Sequence, residues 1–199
     1  NGFIVYIQKT IMVIEAIILD WHGVLDKRTY AGMLERIAIA WNKPLGELKS
    51  EFKELGQKYA ANQVTPEEYW SLLDKHGQTD SAKNYILGSE INKKLWIELR
   101  ELKEEGYKLI ILSDCPMDKK QEIEKNVDLS LFDKTYFSCD YGMLKSNPEF
   151  FELPLSHFGL KNSECLFIDD SEEKVEHARK IGLNAIQYND NVSLLNVLN

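Results

Sequence analysis

Asp20, Ser113, Lys145 and the pair Asp169–Asp170 are the residues of this chain whose types and settings suit one shared piece of chemistry. Asp20 ends the apolar run AIILD and runs into WHGVL. Ser113 ends YKLIILS, Lys145 sits in GMLKSNPEFF, and Asp169 and Asp170 end ECLFIDD. An aspartate ejected from a buried strand is a candidate nucleophile or metal ligand. A serine hydroxyl, with the backbone N–H groups that follow it, can donate to an anion. A carboxylate attacking a phosphate dianion meets charge repulsion, so it needs a cation and fixed donors for the equatorial oxygens. Mg²⁺ held by a few carboxylates and by the phosphate itself meets that need.

Such residues must be positioned by strands. Short apolar runs lie at 13–20, 107–114, 134–140, 164–170 and 183–188. Several are nearly continuous in apolar residues, as strands buried on both faces of a parallel sheet are. Helical patterns alternate with the later runs. One carries Ile91, Leu95, Leu99 and Leu102 and stops at Gly106; another starts at Ser171, carries Val175, Ala178 and Ile181, and stops at Gly182. The expected fold is α/β, a doubly wound parallel sheet of Rossmann-like form, with ligands at the carboxyl ends of the strands. Asp20, Ser113 and Asp170 fall at or just past those ends. The stretch 26–88 holds no convincing strand. Leu45, Leu48, Phe52, Leu55 and Tyr59 form a helical stripe, TPEE at 65–68 is a capping-box helix start, and Met33, Leu34, Ile37 and Trp41 suggest a further helix. The chain therefore divides into an α/β core domain (12–25 and 89–199), a helical cap domain inserted after the first strand (26–88), and an N-terminal extension (1–11) ahead of Met12.

Composition narrows the partners. The chain has 199 residues, 44% hydrophobic and 28% charged, enough for a sizeable core. A net charge of −8 with no basic run argues against nucleic acid. The apolar N-terminus is broken by Gln8, Lys9 and Glu15, so no membrane span or cleaved signal is expected. Cys115, Cys139 and Cys165 match no zinc spacing and are odd in number, which fits reduced thiols in the cytoplasm.

Four motifs in order resemble those of the haloacid dehalogenase-like hydrolases with a helical cap inserted after the first motif. DWHGVL supplies Asp20, Gly23, Val24 and Leu25; LIILS supplies Ser113; KSNPEFF supplies Lys145, Pro148, Glu149 and Phe151; CLFIDDSEEKVEHARKIGLNAI supplies the acidic strand end, helix and glycine. The resemblance implies a Mg²⁺-dependent hydrolase, a phosphatase acting on a small phosphorylated metabolite. Asp20 would attack phosphorus and form an aspartyl-phosphate that water hydrolyses. Asp20, the His22 backbone carbonyl and Asp170 would hold Mg²⁺, with Asp169 in support directly or through a bound water. Ser113 and the N–H of Asp114 would bind phosphoryl oxygens, and Lys145 would offset charge on the phosphoryl group and Asp20.

The chain departs from the pattern at His22, which stands where the family carries the aspartate that protonates the leaving oxygen and later activates water. Three readings stay open. His22 does that work itself; the substrates are acyl, aryl or anomeric phosphates whose leaving groups need little protonation; or the site binds phosphate and turns over weakly, as a regulatory protein would. Two further alternatives are carried. Dehalogenases also lack the second aspartate, but IDDS favours phosphate chemistry. Phosphonatases resemble the chain at Trp21 and Gly23 and need a cap lysine, for which Lys53 and Lys58 are the candidates. Asp114 replaces a common asparagine, and Pro154 is expected to kink or break the helix after Lys145. His76, His157 and His177 read as surface or helix-end residues, Trp41, Trp70 and Trp96 as packing. Lys27 and Arg28 lead into the cap.

Overall fold

The run Ala16–Leu19 forms β1, and every residue in it is buried. Its side chains alternate between two cores, as the two-residue period of a strand requires. Ile17 and Leu19 join Leu95, Leu99 and Leu102 on one face of the sheet, while Ala16 and Ile18 join Phe150, Phe151, Val175 and Ala178 on the other. That double burial is why the run is continuously apolar rather than alternating.

The computed structural model describes residues 13–74 and 79–198. The expected extension at 1–11, the Met12 start and His76 lie outside them. After β1 come four helices, α1 (Tyr30–Trp41), α2 (Leu45–Ala60), α3 (Pro66–Leu73) and α4 (Asp80–Leu87), then α5 (Lys93–Glu104). The rest alternates: β2 (Lys108–Ser113), α6 (Met117–Asn126), β3 (Lys134–Phe137), α7 (Ser138–Tyr141), α8 (Pro148–Phe158), β4 (Cys165–Asp169), α9 (Glu172–Lys180), β5 (Asn184–Gln187) and α10 (Leu194–Leu198). The five strands pair in the order β3-β2-β1-β4-β5, all parallel. This is the doubly wound α/β sheet that the sequence predicts, with β1 at its centre.

Helices α1 to α4 have a core of their own, in which Met33, Leu34, Ile37, Leu48, Phe52, Tyr69, Leu73 and Ile86 are buried. The Thr65–Glu68 capping box forms in both directions, at 2.9 and 3.2 Å. Helix α4 is the element that sequence patterning misses: its eight residues bury only Ala82 and Ile86, too few for a periodic stripe.

The helical layer is fastened to the sheet at both ends. In the two connecting segments, the buried Asp26 carboxylate accepts from the backbone N–H groups of Arg28 and Glu90, at 3.0 and 2.9 Å. The fully buried Lys119 pairs with Asp26 at 3.2 Å and donates to the Leu87 and Gly88 carbonyls. On the far side, Tyr59 and Trp70 both donate to Asp118, and Ser138 Oγ donates to the Ala60 carbonyl at 2.6 Å. Arg28 is spent on the Asn84 and Tyr85 carbonyls.

Two expectations are corrected. The run 134–140 is not all strand: pairing with β2 ends at Phe137, and Ser138–Tyr141 turn into α7, closed by Gly142 at φ +66°. Pro154 does not break its helix, because α8 continues to Phe158 and Pro154 is buried among the residues that face the sheet. Packing there outweighs the backbone hydrogen bond that proline removes. Cys115, Cys139 and Cys165 are free and buried. Among the described residues, no helix is long and apolar enough to cross a membrane.

Candidate active site

The ends of β1, β2 and β4 bring Asp20, Ser113 and Asp169 to one edge of the sheet, and Lys145 reaches the same point from the loop after α7. Its ammonium lies between two carboxylates, 2.8 Å from Asp20 Oδ1 and 2.5 Å from Asp169 Oδ2. The lysine is fully buried, so this ion pair works in a medium that screens little. Asp20 Oδ1 also accepts from the Trp21 N–H at 2.7 Å, and Asp169 Oδ1 accepts from the Ser171 N–H at 2.9 Å.

Asp114 ties the neighbouring segments together. Its Oδ1 accepts from the Lys145 N–H and its Oδ2 pairs with Lys174, each at 2.8 Å. The charge of Asp114 is thereby compensated. Lys174, on the first turn of α9, is a site cation that sequence reasoning missed. Its only signal was its place four residues after the acidic strand end.

Burial alone would raise the Asp20 carboxyl, but the charges of Lys145 and Lys174 overcome it and hold Asp20 at about 2. Asp170 is pushed up to about 7 by burial and then by the charges of Asp20 and Asp169. Asp169, buried beside Asp20 and sharing its lysine, is likewise pushed up by burial. Asp20, Asp169 and Asp170 each offer an oxygen within 4.8 Å of the others. Hard oxygen donors with excess negative charge fit a divalent cation such as Mg²⁺. Gly23 belongs to the same cradle. Its φ is +74°, and a Cβ there would meet the Asp170 carboxylate at 2.2 Å, so only glycine lets the loop close on it.

Ser113 is fully buried and its hydroxyl lowers the Asp20 carboxyl, yet its Oγ has no well-formed hydrogen bond among the described residues. A ligand oxygen would complete it. His22 Nε2 is also buried without a partner, and its ring is held down at about 4 by burial and then by the charge of Lys119. At neutral pH the imidazole is uncharged.

A cavity of about 760 Å³ adjoins the site, between the helical layer and the sheet edge. His22, Asp114, Lys145 and Lys174 line its floor side, and Tyr30, Met33 and Leu34 belong to its helical wall. Lys53 of the phosphonatase alternative lines it too, whereas Lys58 pairs with Glu54 at 2.6 Å. His177 lies in the last turn of α9, as a helix-end residue, and there borders the cavity with a buried Nε2. His157 is exposed, and Trp70 and Trp96 pack as expected.

The central lysine makes a stability prediction. Asp20 has a lowered pKa, so its pairing stabilises the fold above its ordinary value of 3.8 and is lost as pH falls through about 2. Lys145→Met takes the shared ammonium from two buried carboxylates and lowers the unfolding free energy at pH 7 by about 3–5 kcal/mol in urea titrations with chelator present. The deficit shrinks as pH falls, starting above the ordinary carboxylate value of 3.8, because burial without the lysine raises both stranded groups. A deficit that stays constant with pH would assign the loss to packing instead.

A parallel sheet that gathers an aspartate, a serine, a lysine and an acidic pair at its carboxyl edge, under a helical layer, is the frame of a hydrolase. The sequence model described as haloacid dehalogenase-like hydrolase matches residues 14–182, and the chain belongs to that family. Sesquiterpene phosphatase astK of Aspergillus oryzae is 31% identical over 179 residues, covering 79% of this chain and 87% of that protein. Bifunctional epoxide hydrolase 2 of Rattus norvegicus is 24% identical over 213 residues; the match covers 94% of this chain but 38% of that protein. Among solved structures, a predicted HAD-like hydrolase from Porphyromonas gingivalis superposes with a TM-score of 0.73 at 22% identity, covering 94% of this chain and 96% of that one. A HAD family enzyme from Bacteroides thetaiotaomicron, crystallised with magnesium and inorganic phosphate, gives 0.72 at 23% identity, covering 94% and 100%. At that identity the superposition speaks for the fold.

Proposed function

We propose that this chain is a Mg²⁺-dependent phosphatase of a small phosphorylated metabolite, with Asp20 as nucleophile. The observation that carries the reading is the buried Asp20–Lys145–Asp169 array, which meets the cavity at Lys145. It keeps the attacking carboxylate ionised down to about pH 2 in a buried setting, beside a hydroxyl, Ser113, that lacks an acceptor.

The roles follow from the geometry. Asp20 Oδ1 is fixed by the Trp21 N–H and Lys145, which leaves Oδ2 to attack phosphorus. The P–O ester bond breaks, the leaving oxygen departs with the bonding pair and takes its proton from water, and the phosphoryl group is carried as an aspartyl-phosphate. Water then attacks phosphorus, releases phosphate and restores Asp20. Ser113 and the Asp114 N–H hold the equatorial oxygens, and Lys145 and Lys174 offset their charge. Asp20, Asp170 and the His22 carbonyl would hold Mg²⁺, which when bound supplies charge neutralisation at the phosphoryl group. Asp169 supports the site by anchoring Lys145, since both its oxygens are engaged within the protein. We read helices α1 to α4 as the cap, and the free thiols as fitting a cytoplasmic setting. The phosphatase relatives support the reaction class.

A phosphate-release screen over sugar, nucleotide, aryl and acyl phosphates tests the reading. Release is expected with Mg²⁺ and falls by on the order of 100-fold or more with chelator. Release no faster than without enzyme, alongside measurable phosphate binding, would point instead to a phosphate-binding or regulatory protein. That second reading draws on one observation, the uncharged His22 ring. Release of halide, or cleavage of a phosphonate C–P bond, would move the chain to the dehalogenase or phosphonatase alternatives.

A further inference from the structure

We propose that the cavity recognises a second anionic group on the substrate, held by Lys49 and Lys53 of α2 on its helical wall. The inference rests on the phosphatase reading only for the identity of the first anion.

Lys49 and Lys53 are four residues apart on α2, so they share one helix face, and both line the cavity. The C-terminal end of α2 is the end near the phosphate loop. Ala60 accepts from Ser138, whose hydroxyl in turn accepts from the Cys115 N–H, two residues past Ser113. Counting back from Ala60 along the helix, Lys53 and Lys49 lie roughly 10 and 16 Å farther out.

Lys49 and Lys53 carry charges that the helical layer does not compensate. Of the acids lining the cavity, Asp114 is paired with Lys174 and Glu173 sits beside Lys174 on the first turn of α9. Lys58 and Lys43, elsewhere on the helical layer, pair with Glu54 and Glu51. Among the described residues no carboxylate lies within ion-pair distance of Lys49 or Lys53. In a chain of net charge −8, two unpaired lysines one turn apart on the wall of one cavity are a local excess that a ligand anion would relieve. The same cavity carries Met33, Leu34 and Ile86 on its helical wall. A fitting substrate is a phosphate monoester with an apolar stem and a terminal anion, either carboxylate or phosphate.

Octyl phosphate and its ω-carboxylate and ω-phosphate analogues test this. The wild-type chain should show kcat/KM at least about 10-fold higher for one or both ω-anionic esters than for octyl phosphate, and the preferred analogue identifies the anion. In the Lys49→Met/Lys53→Met variant that preference falls to within about twofold of parity, while Lys58→Met, on the same helix but ion-paired, retains it. Rising salt should shrink the preference, because these lysines are exposed. Equal kcat/KM for all three esters in the wild type, or a preference that survives in the double variant, would overturn the proposal. If no ester is hydrolysed, calorimetric binding of the same three compounds decides. Tighter binding of the ω-anionic compounds, lost in the double variant, upholds the second-anion site while the phosphatase reading falls. Equal binding overturns the site as well.

Discussion

Asp20→Asn lowers the rate of phosphate release by on the order of 10⁴-fold or more, because it removes the nucleophile while leaving the donors in place. Asparagine keeps the shape of the side chain and can still accept from the Trp21 N–H through its amide oxygen. Lys145 keeps its contact with Asp169, so the variant retains a compensated buried cation and should fold. The diagnostic measurement is acid quenching of a single turnover with a ³²P-labelled ester. Wild type should yield protein-bound, hydroxylamine-labile phosphate, and Asp20→Asn none. A variant within about 10-fold of the wild-type rate would mean that water attacks the ester directly, and Asp20 would be reduced to a ligand.

How far the sequence led can be judged residue by residue. Asp20, Ser113 and Asp169 were legible because each ends an unbroken apolar run, and a strand buried on both faces has only its ends free for polar groups. Lys145 was legible through the helix start that follows it, where Asn147 caps and Pro148 takes the first turn. Lys174 was not, since its role depends on an ion pair with Asp114 from a different loop, 60 positions away in the chain. Sequence placed three of the four described helices of the inserted layer, α1 to α3, but neither α4 nor their fastening. Asp26, Lys119 and Asp118 carry no motif in the sequence, and only the tertiary arrangement buries the first two and turns all three into attachment points. Lys49 and Lys53 show the same limit from the other side. An amphipathic pattern says that they leave the helical core, not that what they face is the substrate cavity. Pro154 and the end of β3 went astray for a related reason, because local propensity was outweighed by packing on the sheet.

His22→Asp should raise, not lower, kcat/KM on alkyl phosphates, by about 100-fold. The imidazole is buried, flanked by Lys119, and titrates at about 4, so at neutral pH it holds no proton to give to a leaving alkoxide and is a weak base toward water. Mg²⁺ bound to its own carbonyl would disfavour protonation further. An aspartate at this position can be protonated in a site already rich in carboxylates, as the rise of Asp170 to about 7 shows for the apo arrangement. It can then serve the leaving oxygen. The gain should depend on the leaving group: large for alkyl esters, within a few fold for acyl and aryl phosphates, which depart without a proton. Extra negative charge beside Asp20 and Asp26 works against stability, so melting curves with and without Mg²⁺ must accompany the kinetics. A uniform loss of activity in a well-folded His22→Asp variant would give the histidine a positive role. A gain that tracks leaving-group pKa would mean that the wild-type chain has kept the machinery for attack and surrendered general acid catalysis, which confines it to substrates with good leaving groups.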